Sequence, residues 1–216
     1  MARRRGFFGW QVVGACFVLA VFAWGTGFYG PGIYLHALHE REGWSAGLLS
    51  GAITLHFLAS AAIVPFLPRM LGRFGTVAVT AGGAVAAALG ALAWAWASEP
   101  WHLVPAALLT AAGWSAHSTA AVNAILSPWF DRRRPMALSL AYNGASIGGV
   151  AFSPLWAFLI GWIGFGWAAS VVAAATLLVL WPLAVRWFRP TPAALGLFPD
   201  GAAAPPPPRP AAAGTA

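Results

Sequence analysis

The chain has 216 residues, of which 60% are hydrophobic and 8% charged, and a formal net charge of +7. No soluble domain of that length hides so much apolar side chain in one core, which excludes the ordinary globular enzymes and binding modules. Nucleic-acid binding is also a poor reading of the charge, because all 12 basic residues are arginine and they stand at the ends of apolar runs.

In chain order, the uncharged run from Gly6 to Leu35 is the first to exceed the roughly 20 residues needed to cross a hydrocarbon core of about 30 Å. Arg3, Arg4 and Arg5 precede it, but no small-residue cleavage site closes a short apolar core, so it reads as an uncleaved span and not as an export signal. Gly43 to Pro68, Phe74 to Ser98 and Pro100 to Phe130 supply the next three runs. The last, Pro135 to Val185, is 51 residues long and is interrupted by Gly161-Trp-Ile-Gly-Phe-Gly166, which fits two helices and a tight turn. The expected spans are therefore 7–35, 45–67, 75–97, 101–127, 136–160 and 165–187, forming an all-α integral membrane bundle over residues 1–189. After Arg189 the composition turns to proline and alanine, with a Pro205 to Pro208 run, and residues 190–216 read as a disordered or extended tail.

Charge sets the expected orientation. With six spans, 11 of the 12 arginines fall on one side and only Arg41 on the other. The excess of arginine marks the cytoplasmic face, so both termini are expected there, in a multi-pass protein of the cell membrane. Tryptophans 10, 44, 101, 129, 162 and 187 lie near the span ends, where interfacial belts place aromatic rings.

Polar groups inside the spans are few: Thr26, Tyr29, His56, His117, Asn123 and Asn143. Such groups are costly in lipid unless they face a cavity or a partner helix. Both roles stay open, with the imidazoles of His56 and His117 favouring the cavity because they can bind an anion or carry a proton. Thr26 and Asn143 favour bonds between helices. Gly144 and Gly148 are four apart, as are Ala145 and Gly149, a small-residue spacing that allows two helix backbones to approach closely.

His36, His39, Glu40 and Glu42 have metal-ligand spacing but no fixed third ligand, so no metal is expected there. No nucleophile with a paired base, phosphate-binding loop or cysteine pair is present, and no enzyme activity or cofactor is expected.

The stretch Trp129-Phe-Asp-Arg-Arg-Arg-Pro-Met-Ala-Leu-Ser-Leu-Ala-Tyr-Asn-Gly-Ala-Ser-Ile-Gly-Gly149, followed by Ser153-Pro154, resembles the loop and fifth helix of major facilitator superfamily transporters. The branch with monocarboxylate and oxalate/formate carriers is most similar, through Gly9-Trp10, Tyr29-Gly-Pro-Gly-Ile-Tyr34, Gly43-Trp-Ser45 and Leu195-Gly-Leu-Phe-Pro-Asp-Gly201. The resemblance implies a six-helix half bundle of two inverted three-helix repeats, with helices one, two, four and five around a central cavity. Tyr29, His56, His117, Asn123 and Asn143 would line that cavity. Arg73, Gly75, Arg132, Arg133 and Arg134 would belong to the cytoplasmic gate and loop motifs, and Gly144, Gly148 and Gly149 to helix packing.

Two features depart from the family. Its members usually carry twelve helices, so this chain resembles an N-terminal half. Between helices two and three the pattern is glycine, three residues, aspartate-arginine, any residue, glycine, and here Pro68 and Gly72 replace the first glycine and the aspartate. The implied function is a secondary transporter, or one half of one, moving a small solute such as a small organic anion by alternating access. Its partners would be the lipid bilayer and a second half or a second copy. The competing reading is a truncated membrane protein, or a partner subunit, that does not itself transport.

Overall fold

The structure, a computed structural model, describes residues 7–204, and every regular element among them is helical. Among the described residues, three helical runs are long and apolar enough to cross a membrane: Gly9–Glu42, Ala46–Ala95 and Arg134–Phe188.

The first run is α1 (Gly9–Ala23), a π turn over Trp24–Phe28, and α2 (Gly30–Glu42). It ends at Gly43, whose φ of 69° is left-handed and whose N–H donates to the His39 carbonyl at 3.0 Å. Two residues later Ser45 caps α3 (Ala46–Ile63), its hydroxyl accepting from the Leu48 N–H at 3.3 Å. Glycine stop and serine start make the connection short. A 3-10 turn containing Pro65 leads into α4 (Leu67–Ala95), which breaks at Gly75 with φ 80° and ψ 161°. Only a residue without Cβ adopts that conformation at little cost.

After a 3-10 turn over Pro100–His102 come α5 (Leu103–Ala116) and α6 (Thr119–Leu126), separated at Ser118, whose ψ of 172° is extended. The last run is α7 (Arg134–Leu183), broken at Gly164 with φ 77° and ψ 163°, followed by a π turn over Ala184–Phe188.

Helix packing relies on small residues, because lipid gives apolar side chains no incentive to leave it and close contact supplies the attraction. The first half of α7 lies along α1. A Cβ on Gly148 would stand 2.5 Å from the Val21 carbonyl oxygen, and one on Gly144 would collide with the Phe17 carbonyl. On α4 and α5 the fit is reciprocal: a Cβ on Gly90 would sit 2.7 Å from the Thr110 nitrogen, and one on Gly113 2.6 Å from the Ala87 nitrogen. Around these seams lie two main apolar clusters. Tyr34, Trp94, Trp156 and Phe165 centre one near the Glu42 end, and Cys16, Leu126, Trp129 and Phe130 centre the other.

The observed elements differ from the expected ones at three places. The first run continues past residue 35 to Glu42, because Tyr34, Ala37 and Leu38 bury an apolar face while His36 and Glu40 pair at 3.3 Å on the other. Arg41 then reaches the end of α4, donating to the Ala97 carbonyl at 2.8 Å and to the Ala95 carbonyl. The 101–127 segment is interrupted at His117 and Ser118.

The third place is residues 190–204, expected to form a disordered or extended tail, which hold 3-10 turns over Ala193–Leu195 and Pro199–Gly201. The carboxylate of Asp200 accepts from the backbone N–H groups of Asp131, Arg132 and Arg133 at 3.3, 2.8 and 3.2 Å, and its own N–H donates to the Trp129 carbonyl at 2.9 Å. One acidic side chain thus satisfies the backbone donors of the three loop residues that lead into α7. Residues 205–216 of the expected tail lie outside the described residues.

Candidate functional site

Proline in the first run decides the chemistry of the interior. In an α-helix the Gly27 carbonyl would accept from the N–H of residue 31, and residue 31 is proline, which has none. The chain makes a π turn there, with the Tyr29 N–H donating to the Trp24 carbonyl at 2.9 Å. Side chains take up the carbonyls left over. The Tyr34 hydroxyl donates to the Thr26 carbonyl at 3.2 Å, and His56 Nε2 lies 3.1 Å from the Gly27 carbonyl.

A carbonyl oxygen only accepts, so His56 carries a proton on Nε2. His56 Nδ1 lies 3.0 Å from the Thr110 hydroxyl oxygen, whose single proton is within reach of the Ala106 and Ala107 carbonyls at 3.0 and 3.1 Å, and the Trp94 indole N–H donates to that same oxygen at 3.3 Å. This network joins the π turn after α1 to α3, α4 and α5. His117 is also buried, and its Nε2 donates to the Thr80 carbonyl of α4 at 2.9 Å.

Both imidazoles are buried among the described residues. The cavity beside Thr26, Tyr34, Thr110 and His117 measures about 10 Å³, which is room for roughly one water molecule.

The other sequence-selected residues divide into three places. Tyr29 is half-exposed, and its ring covers Gly149, where a Cβ would stand 2.7 Å from the ring. Asn143 is exposed on α7, in line with exposed Ser139 and Ser146 one helical turn to either side. Asn123 instead accepts from the Arg134 guanidinium at 2.8 Å, fastening α6 to the start of α7. Among the loop residues, Arg132 and Arg133 give their backbone N–H groups to Asp200, Arg73 lies 5.3 Å from the ring of Phe74, and Gly75 makes the break in α4. Thr26 bonds back to the Phe22 carbonyl at 2.8 Å.

Sequence reasoning missed an aromatic cluster. Trp24 meets Trp114 edge-on with centroids 4.8 Å apart, Phe28 lies 5.2 Å from Tyr29 and 6.1 Å from Phe57, and Phe57 packs on His56 at 4.8 Å. These rings come from the π turn after α1, from α3 and from α5, and reach the half-exposed face beside Tyr29. A signal existed: Trp24 and Trp114 lie well inside their apolar runs, away from the ends where interfacial anchors belong.

A family model described as the Major Facilitator Superfamily matches residues 15–214. Monocarboxylate transporter 13 of Rattus norvegicus is 27% identical over 177 residues, which cover 80% of this chain and 40% of the relative. Monocarboxylate transporter 11 of Mus musculus is 29% identical over 173 residues, covering 80% and 38%. The MFS-type transporter pynF of Aspergillus niger is 39% identical over 62 residues, covering 29% and 14%. The chain thus spans less than half the length of these curated relatives.

Proposed function

The chain belongs to the Major Facilitator Superfamily, and from that premise we propose that it supplies one six-helix half of an alternating-access carrier for a small solute. Taking Gly75 and Gly164 as span boundaries divides the helical runs, with the interrupted α5 and α6 as one span, into six. The two glycines share one backbone geometry, φ 80° and ψ 161° against φ 77° and ψ 163°, and each stands between the second and third span of its half. That equivalence supports two three-helix repeats related by inversion. Both chain termini are cytoplasmic in this reading, and the protein lies in the cell membrane.

The observation that carries the transport reading is the open face built by α1, α3, α5 and the first half of α7. There Tyr29, Phe28, Asn143, Ser139 and Ser146 stay exposed beside the aromatic cluster. Solute would contact Tyr29, Asn143 and the rings of Trp114 and Phe57, while His56, His117 and Asn123 hold the helices that carry them. The gate side would be the Arg73–Gly75 and Arg132–Arg134 segments. No fixed charge stands at mid-depth on this face, so the countercharge for an organic anion would come from a second bundle. Alternating access also needs two bundles around one site.

Reconstitution tests the reading with radiolabelled lactate and pyruvate, chosen because relatives are monocarboxylate transporters. Vesicles holding one copy of the chain are expected to take up no label, and vesicles holding many copies, which permit a pair, are expected to take it up. Uptake by single copies would remove the need for a second bundle. Silence at every density would favour the membrane protein that does not transport.

A further inference from the structure

Two grooves run along the outer side of α4, away from the open face. One, of about 360 Å³, lies between α4 and α5 and includes Met70, Ala86 and Ala112. The other, of about 610 Å³, lies between α4 and the last part of α7 and includes Val85, Trp181 and Val185. Phe74, Ala78 and Gly82 line both, so the two grooves share a single ridge and meet at the Phe74 end. Their walls are mostly apolar, with Met70, Phe74 and Trp181 among small alanines and glycines. From Ala78 to Ala86 the ridge is about 12 Å long, most of the roughly 15 Å depth of one leaflet's hydrocarbon.

Basic groups crowd the same end. Arg73 precedes Phe74, Arg69 stands one turn before it, and Arg186 follows Val185. All three are exposed, with their guanidinium groups over neighbouring rings: Arg69 6.0 Å from Phe66, Arg73 5.3 Å from Phe74 and Arg186 5.7 Å from Trp187. The acidic side chain of Asp200 is occupied by backbone N–H groups, and Gly72 puts no carboxylate beside Arg73.

We propose that these paired grooves bind one anionic phospholipid. Its two acyl chains lie on either side of the Ala78–Gly82 ridge, and its phosphate is held by Arg73 and Arg186. A twin-tailed, single-headed anion fits two grooves that converge on arginines, and basic sites between helices at the cytoplasmic surface attract such headgroups. The inference rests on the membrane placement and orientation proposed above.

Native mass spectrometry of the purified chain provides the test, with palmitoyl-oleoyl phosphatidylglycerol and the matching phosphatidylcholine as probes. Two basic groups near a headgroup correspond to about a thirtyfold preference for the anionic lipid. Arg73→Gln combined with Arg186→Gln is expected to abolish the preference while leaving phosphatidylcholine retention unchanged. Gly82→Leu is expected to lower retention of both lipids, since a side chain there enters both grooves and a Cβ meets nothing within 4 Å. Helix content and melting temperature of each variant are measured alongside, so that a folding defect is not read as lost binding.

An unchanged preference in the double arginine variant would overturn the proposal, as would unchanged retention in Gly82→Leu. A change of oligomeric mass in Gly82→Leu would show a helix docked in the grooves and overturn it too. Glycerol phosphate is expected not to displace the lipid; displacement would mean that a soluble phosphate is the ligand. Selective lipid retention without solute uptake would leave this inference standing and end the transport reading, and the reverse result would do the opposite.

Discussion

His56 Nε2 lies 3.1 Å from the carbonyl oxygen of Gly27, the one carbonyl that Pro31 deprives of its helical donor. A proline in the first turn of α2 and a histidine on another helix therefore form one unit. The imidazole supplies from α3 the hydrogen bond that the first run cannot make for itself.

Replacing His56 with alanine strands that carbonyl in an apolar interior, at a cost of about 1–3 kcal/mol, read as a lower melting temperature in detergent. Pro31→Ala restores an N–H four residues after Gly27 and should make His56→Ala less harmful. The thermal cost of His56→Ala, measured in both backgrounds, isolates the coupling. Equal costs in the two backgrounds would break the link between His56 and Pro31.

This pairing shows what the sequence could and could not carry. The apolar runs and the glycine breaks are local properties, and the backbone breaks at Gly75 and Gly164 fall where Arg73-Phe-Gly75 and the Gly161 to Gly166 segment mark them. Polar residues inside an apolar run are equally plain to see, yet their direction depends on which neighbouring helix lacks a donor. Pro31 was the available clue, since it predicts an orphaned carbonyl at Gly27. The partners of Gly90 and Gly113 were hidden because each meets a single residue on the facing helix without the four-residue repeat seen at Gly144 and Gly148. Asp200 was hidden for a similar reason, as a proline-rich composition says nothing of a single carboxylate that meets three N–H groups almost 70 positions earlier in the chain.

Glycines on α7 should differ sharply in tolerance. Gly148→Leu drives a side chain into the Val21 carbonyl, and overpacking of this kind costs about 1–3 kcal/mol or more. Gly161 has open space around its Cβ position, so Gly161→Ala is expected to be neutral or to stabilise by about 1 kcal/mol through helix propensity. Melting of both variants in detergent checks the contrast. A Gly148→Leu protein that melts like the parent would mean that α1 and α7 do not meet closely there.

Asp200 has a left-handed φ of 59°, a region asparagine tolerates better than alanine. Asp200→Asn keeps an acceptor and the backbone preference but loses the charge, whereas Asp200→Ala loses all three. Amide hydrogen exchange at Arg132 and Arg133 is expected to rise in both variants and more in alanine. Unchanged exchange at Arg132 in Asp200→Ala would mean that the carboxylate does not hold this loop.

The proposed orientation rests on charge and on where the helices stop. Arginines cluster at residues 69, 73, 132, 133, 134, 186 and 189, and the opposite end of the bundle carries Arg41 with Glu40, Glu42 and Glu99. Arg41 is engaged there by Glu42 at 2.7 Å and by the carbonyls that close α4, so it adds little free positive charge to that side. The asymmetry that sets topology is therefore stronger than an arginine count suggests. Reporter fusions after Arg5, Arg73, Arg134 and Arg189 should give cytoplasmic signals, and fusions after Glu42 and Glu99 external ones. The Glu42 fusion is the most telling of these, because the first run stays helical to that residue and carries the reporter clear of the membrane. An external signal at Arg189 would mean an odd number of spans, and the six-span half bundle would have to be abandoned.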